Sequence, residues 1–252
     1  MTNKKLDVSN SGVFYVSVSL EDAAYKMSTA TEVLADNCPY LVDVSLGGAP
    51  GARTPFSFSA KKSGSAEYPA SVGIKNGSCP DFLQTISAFP SLSEVIIEKA
   101  DAGNALSLSG HPELQDLVVR NTSIGSISLS DLPKLNSVWM DENPSLTSVS
   151  MSGCPVLRDA YIRFNTSLKG LVPDAISDMI DRGKNPIYDT YYSYDYLTEY
   201  YEGASLTTRL GSGWSFACQR IVEGQKRYYY YKSNGSGFYF PGEPNKGYHG
   251  KN

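Results

Sequence analysis

Apolar residues recur in a single frame between Ser91 and Asn165. Four prolines stand 22, 21 and 22 residues apart, and a leucine follows two places after each of them. Counted from that leucine, apolar residues also fill the fourth and sixth places, so the pattern LxxLxL occurs four times: Leu92-Val95-Ile97, Leu114-Leu117-Val119, Leu135-Val138-Met140 and Leu157-Ala160-Ile162. Alternation over so short a stretch predicts one half-buried strand per unit.

A second apolar pattern lies inside the units. It comprises Leu106 and Leu108, then Ile124, Ile127 and Leu129, then Leu146, Val149 and Met151. Serines alternate with these residues and fill the outward places. We therefore expect two extended arms in each unit, stacked unit upon unit into a solenoid because one unit alone cannot bury a core.

The last two units add an asparagine three places after the final apolar residue, at Asn143 and Asn165, where the earlier units have Ala100 and Thr122. The pattern LxxLxLxxN at this period resembles the leucine-rich repeat, and the short units resemble those of bacterial surface proteins such as the internalins. The resemblance implies an α/β solenoid with a parallel concave sheet, an N-terminal β/α cap, a C-terminal helix cap and a small β meander.

The frame extends towards the N-terminus. Leu41, Val44 and Leu46 fit LxxLxL, and a strand over Val13 to Leu20 fits it 28 residues earlier. Between these two units, residues 21–36 have apolar residues at helical spacing, so we expect a helix there.

The residues between Leu46 and Leu92 are less regular. A frame beginning at Pro69 places Val72 and Ile74 inward. Residues 47–66 are rich in Gly, Pro, Ala and Ser, which predicts an irregular excursion with a short extended piece at 56–59. Residues 81–88 are expected to form a short helix.

The repeat fades after Asn165, which divides the chain into a solenoid over residues 1–172, with its best-formed units at 91–165, and a C-terminal region over 173–252. A helix at 173–181 is expected to cover the open end of the solenoid and to stop at Gly183. A tyrosine-rich segment follows. Beyond it we predict strands at 214–222 and 226–232, a short strand through Phe240 and a loose tail from Pro241.

Composition narrows the class of protein. The chain has 252 residues, 41% of them hydrophobic and 19% charged, with a net charge of −4. These values are typical of a globular protein. Without a basic cluster we expect no nucleic-acid partner, and without a long apolar run we expect no transmembrane segment. Residues 1–10 are polar, so no signal peptide is expected in this sequence. The resemblance implies a secreted or cell-surface location, and a cytoplasmic one stays open.

Few residues are candidates for chemistry. The only histidines are His111, in a buried turn column with Cys38, Phe89, Leu132 and Cys154, and His249 near the C-terminus. We expect no metal site, no cofactor and no catalytic residues, so the chain is not expected to be an enzyme. Cys218 is the one conceivable nucleophile, as in secreted leucine-rich effector enzymes. Trp214, Phe216 and Cys218 alternate, however, which is typical of a core strand.

The outward places of the main strands remain as the candidate site. They form an acidic column, a central column that becomes apolar and aromatic, and a column of alternating charge. The expected ligand-binding residues are Glu94, Asp116, Asp159, Ile96, Val118, Trp139, Tyr161, Arg120, Asp141 and Arg163. Exposed aromatic residues on a rigid sheet suit an interface. We therefore predict a monomeric, non-catalytic binding or adhesion module for a protein or polysaccharide ligand. The alternative is glycan or cell-wall binding by the tyrosine-rich region.

Overall fold

The computed structural model describes residues 4–20, 30–61, 69–168, 173–184 and 186–188, together with the backbone of five later strands. In chain order, the elements up to residue 188 are β1 (Lys4–Asp7), β2 (Tyr15–Ser19), β3 (Ala30–Leu34), β4 (Asp43–Gly47), β5 (Thr54–Pro55), β6 (Ser57–Ser59), β7 (Ser71–Lys75), β8 (Gly77–Ser78), α1 (Phe82–Ile86), β9 (Glu94–Glu98), β10 (Ala105–Ser109), β11 (Asp116–Arg120), β12 (Ser126–Ser130), β13 (Ser137–Asp141), β14 (Ser148–Ser152), β15 (Asp159–Arg163), α2 (Asp174–Asp181) and β16 (Ile187–Tyr188). The later strands are β17 (Glu199–Tyr201), β18 (Trp214–Val222), β19 (Gln225–Lys232), β20 (Phe238–Pro241) and β21 (Tyr248–Lys251).

The largest element of the fold is an eight-stranded parallel sheet, called the main sheet here, with the order β16-β15-β13-β11-β9-β7-β4-β2. The second and fourth residues of its five-residue strands are buried, as the alternation predicted. Strand β2 pairs with β4 so that Val16 lies beside Val44, and β7 continues the register with Val72. The frames proposed for the N-terminal units and for Pro69 are therefore confirmed.

A second, discontinuous layer runs along the flank of the solenoid. Two parallel three-stranded sheets form most of it, with the orders β1-β3-β6 and β10-β12-β14. Helix α1 lies between them and contacts both β6 and β10, and α2 packs against β14. The predicted second arms are thus confirmed as strands in three successive units, and helices replace them in two others.

The described residues up to Tyr188 therefore form a parallel-strand β-solenoid with few helices. The helix expected at 21–36 is wrong where it can be compared, because Ala30–Leu34 is strand β3, paired with β1 and β6. Residues 21–29 lie outside the described residues. The helices at 81–88 and 173–181 are confirmed as α1 and α2.

Helix α2 does not end the stack. Its buried residues Ala175, Ile176 and Met179 pack beside β14, and the chain then returns to the main sheet as β16. Tyr188 of β16 is fully buried. The helix is therefore a lateral element of its unit, and the main sheet continues past it. Neither described helix has the length and apolar composition needed to cross a bilayer.

The core is continuous along the solenoid, since residues from Val16 to Tyr188 belong to one buried cluster. The predicted turn column is confirmed as part of it, with Cys38, Phe89, His111, Leu132 and Cys154 all buried.

Buried asparagines connect the last units. The Oδ1 of Asn165 accepts hydrogen bonds from the backbone N and the Nδ2 of Asn143, at 2.9 and 3.1 Å. Asn143 Oδ1 in turn accepts from the backbone N and the hydroxyl of Thr122, at 3.0 and 2.7 Å. Both asparagines also donate to backbone oxygens, of Val119 and Met140. This asparagine ladder ends at Thr122, because the next place towards the N-terminus holds Ala100, which has no polar side chain.

The C-terminal strands form two small antiparallel sheets, β17-β19-β18 and β20-β21. Strands β18 and β19 confirm the predicted pair. The loose tail is wrong over Tyr248–Lys251, which pairs with β20. Strand β18 also has an irregularity between Phe216 and Cys218, which lie opposite the adjacent residues Tyr230 and Tyr229. The simple alternation expected for Trp214, Phe216 and Cys218 is interrupted there.

Candidate functional site

The candidate site is the outer face of the main sheet, where the structure brings together all ten residues expected to bind ligand. They lie on β9, β11, β13 and β15, and in-register pairing aligns them in the three predicted columns. The acidic column runs through Glu94, Asp116, Ser137 and Asp159. Parallel pairing spaces neighbouring members of a column by about 4.8 Å.

The central column is partly exposed and apolar from Ile96 onwards. It continues through Val118 and Trp139 to Tyr161, and each of these side chains is half-buried. The rings of Trp139 and Tyr161 have centroids 4.6 Å apart and are tilted by 49°. The two rings therefore cover part of each other and still leave a shared apolar surface.

Arg163 extends the aromatic surface to the end of β15. Its guanidinium carbon lies 5.7 Å from the centre of the Tyr161 ring and 5.6 Å from that of the Phe164 ring, within the range of cation–π attraction. Its Nε donates to Asp141 Oδ2 at 3.2 Å. Asp141 is 1% exposed, so it positions Arg163 and offers almost no surface of its own.

The column of alternating charge forms two separate ion pairs. Arg120 pairs with Glu98 at 3.6 Å and Arg163 with Asp141 at 3.2 Å. Between the two pairs, Arg120 Nε and Asp141 Oδ1 are buried and have no hydrogen-bond partner in the described part of the chain. The predicted salt-bridge ladder is therefore confirmed within each pair and interrupted between them.

Sequence reasoning missed Phe164 as part of this surface. The residue is 55% exposed and has a φ of 57°, a backbone conformation that is strained for a bulky side chain. The corresponding corners of earlier units hold Asn76, Lys99, Asn121 and Glu142, all at positive φ. A phenylalanine in an otherwise polar column was the signal that could have identified it.

At the N-terminal end of the central column, a groove replaces the apolar stripe. Gly73 lies between Ser45 and Ile96 in the register and leaves an opening of about 290 Å³. The carboxylates of Asp43, Glu94 and Glu98 are among its lining groups. A Cβ added at Gly73 would meet only Ile96, at 3.5 Å or more, so a side chain would fit into the groove without a clash.

A second exposed apolar patch lies at the N-terminal edge of the main sheet, and sequence reasoning missed it as well. Phe14 stacks on Tyr40 with centroids 5.6 Å apart, and Tyr15 is 71% exposed. The place of Val42 is polar in all the best-formed units, as at Gln115, and the place of Tyr40 is polar in three of the four, as at Glu113, which is the signal that was available.

The cysteine and histidine side chains that the structure describes are all buried. Burial raises the pKa of the Cys154 thiol to about 11, and burial with the nearby charge of Asp81 does the same for Cys79. Burial lowers the pKa of His111, although the hydrogen bond between its Nδ1 and the Phe89 carbonyl, 3.0 Å long, partly opposes this. Within the described ranges, no group of three or more His, Cys, Asp and Glu side chains is arranged to hold a metal ion.

The alternative sites lie elsewhere. The side chains of the tyrosine-rich segment and of Cys218 are outside the described residues.

Comparison with known proteins gave no match, whether with a family model, a curated protein or a solved structure.

Proposed function

We propose that this chain is a non-catalytic binding module that holds a protein ligand, or another surface ligand, on the outer face of its main sheet. The observation that carries the proposal is the central column, a continuous half-buried apolar stripe from Ile96 to Tyr161 that opens into the Gly73 groove. Side chains held on paired strands lose little conformational entropy on contact, so such a stripe suits the centre of an interface.

The charges beside the stripe favour a particular kind of partner. Glu94, Asp116 and Asp159 form one edge, and Asp43 and Glu94 line the groove at its N-terminal end. A cationic side chain that follows the acidic column would meet a carboxylate on most strands, since neighbouring strands lie about 4.8 Å apart. The preferred ligand is therefore a segment that combines aromatic or aliphatic residues with Lys or Arg.

We also propose the family of repeat proteins to which the chain belongs. The LxxLxL register and the asparagine ladder support a leucine-rich repeat of the bacterial surface type, which would make the outer face of the main sheet concave. Such modules act outside the cytoplasm in adhesion or recognition. The buried thiols and the buried, weakly basic His111 support a non-catalytic role.

The test begins with a selection of peptides from a random displayed library on the whole chain. Selected peptides should be rich in aromatic and basic residues. Trp139→Ala and Tyr161→Ala should each weaken their binding by about 2 kcal/mol, or roughly thirtyfold in Kd. Tyr40→Ala is the matched control, because Tyr40 also belongs to an exposed ring pair and lies off the stripe.

Gly73→Val tests the groove separately. Valine suits a strand better than glycine does and the space is available, so the melting temperature should stay the same or rise while binding in the groove is blocked. Selected peptides that bind Trp139→Ala, Tyr161→Ala and Gly73→Val as tightly as the parent chain would show that the outer face of the main sheet is not the site.

A further inference from the structure

A cleft of about 600 Å³ lies at the ends of the main-sheet strands, away from the aromatic stripe. One wall is the loop at residues 50–53. The opposite wall is formed by corner residues of three successive units: Lys75 and Asn76, then Lys99, then Asn121.

The cleft exists because the unit that begins at Leu41 is longer than the units that follow it. The units that begin at Leu92, Leu114 and Leu135 are 21 or 22 residues long, whereas 28 separate Leu41 from Pro69. Extra residues directly after β4 form the loop, which overhangs the corners of the following units. In solenoids, insertions of this kind commonly map to a binding face.

The loop is held firmly on the corner. Gly48 N donates to Lys75 O at 2.7 Å, and Thr54 N donates to Asn76 O at 3.0 Å. Inside the loop, the hydroxyl of Thr54 accepts a hydrogen bond from Ala49 N at 3.0 Å. A Cβ at Gly48 would lie 2.0 Å from Asn76 O, so only glycine permits this approach. The shape of the cleft is therefore fixed before a ligand arrives.

The lining is cationic in a chain whose net charge is −4. Arg53, Lys75 and Lys99 contribute three positive charges, and no carboxylate is among the described residues that line the cleft. Arg53 and Lys99 are exposed and form no ion pair within the described part of the chain. By contrast, Arg120, Lys134 and Arg163 are each paired with a carboxylate.

The backbone gives no reason for a lysine at position 99. Its φ is 48°, in the left-handed region where asparagine is favoured, and the neighbouring corners of the cleft hold Asn76 and Asn121. A lysine in this conformation adds a cation to the cleft at some cost in backbone energy.

From this geometry we propose that the cleft binds a doubly charged oxyanion, a phosphate or sulfate ester carried on a small polyhydroxylated molecule. Arg53 and Lys99 are two exposed cations on opposite walls of one opening, which matches the two charges of such an anion, and charge-assisted hydrogen bonds to an oxyanion are among the stronger polar contacts. The amide of Asn121, which is exposed at the same opening, offers a donor and an acceptor to neighbouring hydroxyls. This site shares Lys75 with the lining of the Gly73 groove and is distinct from the aromatic stripe.

The test is calorimetric titration of the whole chain with glucose 6-phosphate, glucose 6-sulfate and glucose, at an ionic strength of about 0.15 M so that diffuse attraction is screened. We expect at least one ester to bind saturably and glucose not to bind. The tighter of the two esters identifies the anion. Arg53→Gln and Lys99→Asn should each weaken binding by about tenfold, and together they should abolish it. Asparagine is chosen at position 99 because it tolerates the left-handed backbone.

Two controls make the result specific. Lys134→Gln removes a cation from another corner, where it pairs with Glu113 at 2.6 Å, and should leave ester binding unchanged. Trp139→Ala should also leave it unchanged, which separates this site from the one on the main sheet. The proposal is overturned if neither ester binds, or if the Arg53 and Lys99 variants bind as the parent chain does.

Discussion

Replacing Asn165 with alanine should cost far more stability than replacing Asn136, an asparagine outside the asparagine ladder. The side chain is fully buried, and its Oδ1 is the acceptor for the backbone N–H of Asn143 at 2.9 Å. Its Nδ2 donates to the Met140 carbonyl. An alanine leaves that N–H buried without its acceptor, which costs about 1–3 kcal/mol, and loses the bonds to Asn143 Nδ2 and Met140 O, at about 0.5–1.5 kcal/mol each. We expect a total loss of about 2–6 kcal/mol.

Urea unfolding of the whole chain measures this loss, and Asn136→Ala is the matched control. The Asn136 side chain is half-buried and makes no hydrogen bond in the described part of the chain, so its removal should cost less than about 0.5 kcal/mol. Thr122 is the end of the ladder, where its hydroxyl donates a hydrogen bond to Asn143 Oδ1. Thr122→Ala removes that bond and should lower the free energy of unfolding by about 1 kcal/mol.

Asn143→Ala and Asn165→Ala should also be non-additive. The two side chains share hydrogen bonds, so the double variant should lose less than the sum of the single variants, by about 0.5–3 kcal/mol. Losses for Asn165→Ala and Asn136→Ala that agree within about 0.5 kcal/mol would refute the ladder as a source of stability.

Two further predictions concern the buried titratable groups. Because the pKa of His111 is lowered in the folded state, unfolding takes up a proton below the ordinary value of 6.5, so His111 makes the chain less stable as the pH falls through that value. His111→Leu should remove this part of the pH dependence; leucine is chosen because Leu132 fills the same column. If the free energy of unfolding changes equally with pH in the parent chain and the variant between pH 8 and pH 5, the pH dependence does not come from His111. Because the thiol pKa values of Cys79 and Cys154 are raised to about 11, a Cys218→Ser chain should react with a thiol reagent at neutral pH only as it unfolds. Labelling of Cys79 or Cys154 within seconds in the native state would show that they are accessible thiolates.

The register of the main sheet could be predicted from the sequence because burial alternates with a period of two. A shift of one residue would move Leu117 and Val119 to solvent, so the apolar pattern specifies both the face and the alignment of each strand. The three outer columns follow directly from that alignment. The buried position of Asp141 does not, because it depends on how Arg163 folds over its neighbours.

The errors fall where local pattern is ambiguous. Val33 and Ala35 are both fully buried and fit a strand, but Val33 also fits helical spacing with Ala30 and Leu34. These residues form strand β3 because they pair with β1 and β6, which are distant in sequence and which local spacing could not reveal. Strand β1 itself gave no signal because its residues are mostly exposed. The cationic cleft was equally hidden, since Arg53, Lys75 and Lys99 meet only when the loop folds back across the corners.

The alternating charges of the main sheet limit how such a chain can change length in evolution. In the register, Glu98, Arg120, Asp141 and Arg163 succeed one another on neighbouring strands. Deletion of the single unit that carries β11 would place Glu98 beside Asp141, two carboxylates on adjacent strands. Deletion of two units, those of β11 and β13, would instead place Glu98 beside Arg163 and keep opposite charges adjacent. The backbone repeats with every unit, but the charge pattern repeats only with every second unit. The sheet therefore tolerates the gain or loss of two units together better than the gain or loss of one.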